Sequence, residues 1–172
     1  MSLKLIDSAS ITTNTAQVVL NNNNDFDVHL LQYINVHTTV DGASLNFRFN
    51  NGGTAVTSSN YDSAETLLYE GGYINEQRTG AAAFSTHRIG TANQEAGSGH
   101  LWLFCFNDAS MYSFATIEGN NLENTTGRPR GKQGGATLTI AQVNDGVTLY
   151  TSSGSIAKGE FRLYAYSRWN MV

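Results

Sequence analysis

One cysteine, one proline and little charge are what the sequence offers, and each scarcity removes a class of answer. The lone Cys105 cannot form an intrachain disulfide, so the 172-residue fold must rest on a buried core, for which the chain is long enough. Within the apolar run LWLFCF this cysteine reads as a small buried hydrophobe, neither nucleophile nor metal ligand. The missing second thiol fits assembly in a reducing cytosol. Pro129 is the sole proline and no linker-like stretch divides the chain, so a single domain over 1–172 is expected. Charged residues make up 14% of the total, against about 25% in ordinary soluble domains, and Asn, Thr, Ser and Gly supply the polarity instead. A formal net charge of −4 counts against nucleic acid as a partner, which would need a clustered positive surface. No run approaches the roughly 18 apolar residues of a bilayer span, and MSLKLIDSASITT lacks the features of a secretory signal. A protein soluble where it is made, with no membrane partner, is the expectation.

Strand signals separated by turn chemistry recur along the chain. In DVHLLQYINV, Val28, Leu30, Ile34 and Val36 are read as one face, with Gln32 as the exception. In SLNFRFN, Leu45, Phe47 and Phe49 alternate with Asn46, Arg48 and Asn50, a half-buried strand bracketed by Asp41-Gly42 and by NNGG. GHLWLFCFND is apolar on both faces, so the face carrying Trp102 must also be covered, by a loop, the opposite sheet or a neighbouring subunit. MYSFATIE, GATLTIAQV and GVTLYTS follow, and Asn144-Asp145-Gly146 between the last two predicts a tight hairpin. Helical spacing is confined to 61–73, where Ala64, Leu67 and Leu68 recur at three and four residues. The tract NNNND at 21–25 is too short for a prion-like segment and reads as a polar loop.

Tests for chemistry return little. His29 and His37 are eight residues apart, roughly 26 Å along a straight strand, and cannot share a metal. His87 and His100 have no short-spaced partner, so no metal site is expected. GRPRGKQGG at 127–135 looks like a phosphate loop, but its glycines are one residue too close and Gln133 stands where Ser or Thr would hold magnesium. It reads instead as an exposed, flexible loop whose Arg128, Arg130 and Lys132 meet an acidic partner surface. The carboxylates Asp25, Asp27, Asp41, Glu65, Glu70 and Glu95 fall mainly beside turns or in loops, and nothing selects two as a glycosidase pair. No catalytic residue or cofactor is assigned, and the chain is not read as an enzyme. Asn124-Thr125-Thr126 matches a glycosylation acceptor, a pattern expected by chance in a chain rich in Asn and Thr. Tyr61, Tyr73 and Trp169 are aromatics suited to sugar stacking; Trp169, beside Arg168 and Asn170, is read as packing against a loop or subunit.

The closing stretch is the best patterned. In GSIAKGEFRLYAYSRWNMV, Phe161, Leu163 and Ala165 alternate with Arg162, Tyr164 and Tyr166, which predicts a strand tied into a sheet. Its first part, GSIAKGEFRLY, resembles the GxIxxGxFxLYGL ending of structural proteins of tailed bacteriophages. GTANQEAGSGHLWLFCFNDASMYSFATIEG at 90–119, and GGATLTI followed by VNDGVTLYTSSG, are similar to the preceding segments of that group. The likeness covers roughly the last half of the chain and departs at Ala165-Tyr166, where the pattern has Gly-Leu. Gly159 is expected at a turn or bulge, with Phe161 and Leu163 in the core.

The resemblance implies a virion component. The expected fold is all-β: a two-sheet antiparallel β-sandwich of jelly-roll type with at most one or two short helices. Without a coiled-coil stalk or long repeat the chain does not read as a complete tail fibre. The expected role is a capsid decoration or cement protein, made in the bacterial cytoplasm, that binds the outside of the head and bridges its subunits. Its partners would be the major capsid protein and itself, as a homotrimer, through Arg128, Arg130, Lys132, Trp102 and Trp169. The alternative is a tail-associated adhesin that binds a receptor or host-surface glycan.

Overall fold

The computed structural model describes residues 2–22, 26–122 and 128–167, and every regular element among them is a strand. These are β1 (Ser2–Ile11), β2 (Gln17–Asn21), β3 (His29–Thr38), β4 (Ala43–Asn51), β5 (Thr54–Ala55), β6 (Tyr61–Tyr69) and β7 (Gly72–Ala81). They continue with β8 (Phe84–Ile89), β9 (Gly97–Phe104), β10 (Tyr112–Leu122), β11 (Pro129–Ala141), β12 (Gly146–Thr151) and β13 (Ile156–Ser167). A large antiparallel sheet runs β1-β13-β3-β9-β10-β11-β6-β7; a small one runs β2-β12-β4-β5, with β8 also on β4.

Eight strands carry the topology. β1 pairs with β13, β2 with β12, β3 with β9 and β4 with β8, so the first partners the last and the ladder closes inward. Successive members of this set alternate between the two sheets except at the innermost pair, β4 and β8, which share the small one; this is the wrapping of a jelly roll. Of the five further strands, β5 joins the small sheet beside β4, while β6, β7, β10 and β11 join the large one, which therefore extends past the small one as an overhang.

The core lies between the sheets. Leu45, Phe47 and Phe49 project into it from β4, Leu101 and Leu103 from β9, and Phe161, Leu163 and Ala165 from β13. Phe84 stacks on Phe47 at 5.6 Å and meets Tyr61 edge-on at 4.8 Å. β13 is an inner strand, held by β1 on one side and β3 on the other. Gly159 sits at φ +151° beside a register shift in β13, and a Cβ there would come within 2.9 Å of Val36 Cγ2. That is the bulge expected of it.

Four local expectations are overturned. Residues 61–69 form β6, not a helix: Tyr61, Ser63, Glu65 and Leu67 point inward with a period of two, concealed in the sequence because two of the four are polar. Asn144-Asp145-Gly146 is no hairpin but the crossing from the large sheet to the small one. Asn144 is buried there, donating its side-chain amide to Ser113 Oγ at 2.7 Å and its backbone N–H to the Phe106 carbonyl at 2.9 Å. In β3 the faces are reversed. Leu31, Tyr33 and Val36 enter the core while Leu30 lies on the other side, because Asn35, at φ 51°, is an extra residue that shifts the parity between Tyr33 and Val36. Cys105 is half-buried rather than core: at φ 55° it breaks the alternation after β9 and returns Phe106 to the interior. Residues 23–25, residues 124–126, Trp169 and the His87 side chain, each given a reading above, lie outside the described residues.

Candidate functional site

The basic stretch is strand rather than loop. From Pro129 onward it forms β11, between β10 and β6 in the overhang. Alternation places Arg130 and Lys132 on its inner face, opposite Tyr69 and Leu67 of β6. Lys132 is thereby removed from any surface interface, a correction to its reading as an exposed cation: its side chain is 4% exposed and its Nζ lies 2.6 Å from Glu65 Oε2. The same Nζ donates to the carbonyl of Ser85 in β8, tying the overhang to the small sheet. Burial pulls the ammonium below its ordinary pKa while Glu65 opposes that shift, and burial prevails. Gly134 makes room for the carboxylate, since a Cβ there would stand 2.7 Å from Glu65 Cγ and 2.6 Å from the Ala64 carbonyl oxygen.

Beside this pair a cavity of about 250 Å³ opens between the overhang and β8. Arg78, Arg88, Arg130 and Lys132 line it, together with Glu76 and Tyr69. The Arg130 guanidinium lies 5.0 Å over the Tyr69 ring, and Arg78 pairs with Glu76 at 3.2 Å. Arg128 is exposed at the end of the hairpin, 3.6 Å from Glu70. Ser44 and Arg88, opposite each other on β4 and β8, continue into a shallower cleft of about 580 Å³ that also takes in Asn46, Tyr150 and Ser152. Arg48 lies 4.4 Å over the Tyr150 ring.

Trp102 lies elsewhere, on the outer face of the large sheet. Leu5, Tyr164, Leu30, Trp102 and Thr116 stand in register across five strands. The adjoining row carries Leu3 opposite Tyr166 and Phe104 opposite Phe114, with the Trp102 and Tyr166 rings 6.4 Å apart, edge to face. Leu5 is 50% exposed, Leu3 45% and Phe114 39%, so the band is open to solvent. On its other side runs a polar row of Arg162, Gln32, His100, Glu118, Gln133 and Thr66. A trough of about 590 Å³ over Ala64, Thr116 and Gly135 borders Phe114. Among the described residues neither a loop nor the small sheet covers the second face of the LWLF strand, and Trp102 and Phe104 are half-buried.

The structure thus separates the residues grouped from the sequence. Arg130 and Lys132 lie along β11 in the overhang with Arg128 just before it, Trp102 lies on the opposite face, and Trp169 is not described. Glu65, Arg78 and Arg88 went unassigned, and the one available signal was the alternation of 61–69 that would have turned Glu65 inward. His29 and His37 are buried, their Nε2 atoms 3.1 Å from Asn22 Oδ1 and 3.2 Å from Asn35 Oδ1. Among the described residues no three of His, Cys, Asp and Glu converge as a metal site would require. Compared with protein families, curated proteins and solved structures, the chain matches none.

Proposed function

We propose that this protein is a bacteriophage virion surface component, a decoration or cement protein on the outside of the head, whose copies associate through the outer face of the large sheet. The carrying observation is the solvent-open apolar band of Leu3, Leu5, Trp102 and Phe114, flanked by the polar row from Arg162 to Thr66. An apolar centre with a polar border is the anatomy of a protein interface, and an aromatic beside a trough supplies an anchor for it. A second copy is the fitting occupant, because it brings both a projecting aromatic edge and the trough beside Phe114. The phage-like closing motif GSIAKGEFRLY supports the virion setting, and the motif's strand is an inner strand of this wall, between β1 and β3.

Light scattering of the purified protein tests the association. Oligomers, with a trimer favoured, are expected for the wild type, and monomers with an unchanged melting temperature for Trp102→Glu. Rebinding to heads stripped of surface proteins tests the location, with hundreds of copies per particle expected. A wild type that stays monomeric at high concentration and does not rebind heads rejects the reading.

The second reading, a tail-associated adhesin, draws on the basic cavity under the overhang. A few tens of copies per particle or fewer, confined to the tail, would select it.

A further inference from the structure

The open edges of the two sheets differ in what they offer a further strand. The small sheet ends in β2, of five residues, and β5, of two, while β8 faces the overhang, where its Ser85 carbonyl receives Lys132. On the large sheet β1 carries Lys4 and a register shift between Leu5 and Asp7, two of the devices that spoil an edge for pairing. β7, at the other end, is ten residues long without Lys or Pro, and its Tyr73 and Ile74 are 66% and 46% exposed. Its pairing with β6 is regular from Gly72 to Arg78 and shifts only beyond, where Gly80 stands at φ 64°.

The hairpin fixes which backbone groups this edge presents. Only Glu70 and Gly71 separate the paired residues Tyr69 and Gly72, and so short a turn closes on a hydrogen-bonded pair. Alternation then turns the N–H and C=O groups of Ile74, Glu76 and Arg78 towards β6 and those of Tyr73, Asn75 and Gln77 outwards. An incoming antiparallel strand must bond to these odd-numbered residues. When that strand is β7 of a second copy, the two-fold axis relating the copies must pass through a residue and not between two.

Charge chooses among the residues that could hold the axis. Glu76 and Arg78 lie on the inner face, opposite Glu65 and Ser63, and pair with each other at 3.2 Å while remaining 35% and 48% exposed. An axis at Asn75 would set Glu76 against Ile74, and an axis at Glu76 or at Arg78 would set that charge against its own copy, which is destabilising. An axis at Gln77 sets Glu76 of each copy opposite Arg78 of the other, so the two intrachain pairs join in one network of alternating sign. The same axis faces Asn75 with Thr79 and Gln77 with its symmetry mate.

We propose that β7 pairs antiparallel with β7 of a second copy about a two-fold axis through Gln77, so that the large sheets of two molecules run on as one. This edge is separate from the apolar band and does not rest on the reading of that band. A ladder from Asn75 to Thr79 is at the small end of specific interfaces, so a dissociation constant on the order of 100 μM is expected. Copies held side by side on one surface would pair far more completely, through their high effective concentration.

Sedimentation equilibrium tests the pairing with the full chain carrying Trp102→Glu, which takes the apolar band out of play. This parent protein is expected to be a monomer at about 10 μM and mostly a dimer at about 1 mM. Adding Arg78→Glu places only acidic groups across the axis and adding Glu76→Arg only basic ones, and each variant should stay monomeric at the higher concentration. Mixed in equal amounts, the two variants carry opposite charges at these facing positions, and a one-to-one dimer should return. A folding defect in either variant could not produce that result. The proposal is overturned if the parent is still monomeric at the higher concentration, if either charge variant associates as strongly as the parent, or if the mixture stays monomeric. A wild type that fails to associate through the apolar band leaves these comparisons intact, so the two readings fail separately.

Discussion

Lys132 Nζ lies 2.6 Å from Glu65 Oε2, with the two side chains 4% and 1% exposed. Two charges so enclosed are stabilising only relative to one of them left alone, because each has given up its hydration. Glu65→Leu or Lys132→Met alone should cost about 3–5 kcal/mol. The double variant Glu65→Leu/Lys132→Met should recover most of that loss. Urea denaturation of the four proteins in a double-mutant cycle checks it, and additive losses would contradict the pairing.

His29 is buried, packs at 4.6 Å against Phe106, and has no partner for its Nδ1 among the described residues. Burial lowers its pKa from 6.5 to about 4. The unfolded chain therefore binds a proton that the folded one refuses throughout that window, and stability falls as pH drops from 6.5 towards 4. The loss from this group amounts to roughly 3 kcal/mol and levels off below the folded pKa. His37, held down by burial and by Lys158, adds a loss of the same sign. Denaturation midpoints measured between pH 7 and pH 4 should show the decline, and His29→Gln should flatten most of it.

Gly134 stands where a Cβ would meet both the Ala64 carbonyl and Glu65 Cγ. Gly134→Val should displace the carboxylate from Lys132 and destabilise the protein by about 1–3 kcal/mol through overpacking. Gly135→Val, one residue along and facing the outer trough, meets only the Ala115 carbonyl at 3.9 Å and should be nearly silent. Thermal melts of the two variants provide the comparison.

Leu163 is fully buried on β13, between Leu31 of β3 and Asp7 of β1. Leu163→Asp would place a carboxylate without a partner in the middle of the core and should leave the protein insoluble or unfolded on expression. A soluble variant with wild-type melting behaviour would contradict the placement of this strand.

The strands that the sequence revealed most plainly are those whose inward residues are all apolar, such as Leu45-Phe47-Phe49 and Phe161-Leu163-Ala165. Where the inward face carries polar groups, as with Ser63 and Glu65 in β6, the period of two is masked and helical spacing of Ala64, Leu67 and Leu68 takes its place. Bulges are equally opaque: one extra residue at Asn35 exchanges the faces of β3, and the local sequence carries no mark of it beyond an Asn that tolerates φ 51°. The turn Asn144-Asp145-Gly146 misled because turn chemistry reports a change of direction and not which sheet receives the next strand. The cavity was illegible for a further reason. Arg78, Arg88 and Arg130 meet through pairings between strands distant in the chain, and the basic cluster that stood out in the sequence supplies only part of it.

The pairing of β1 with β13 joins Ser2 to Ser167, and β3 leans on the other flank of that same closing strand. β3 can pair with β9 as soon as that strand exists, but β1 has no neighbour in its sheet other than β13, so this edge of the broad layer closes only once roughly 150 further residues have been made. Closure over so long a separation is slow, and it leaves the edge of β3 that β13 will cover exposed to wrong pairings in the meantime.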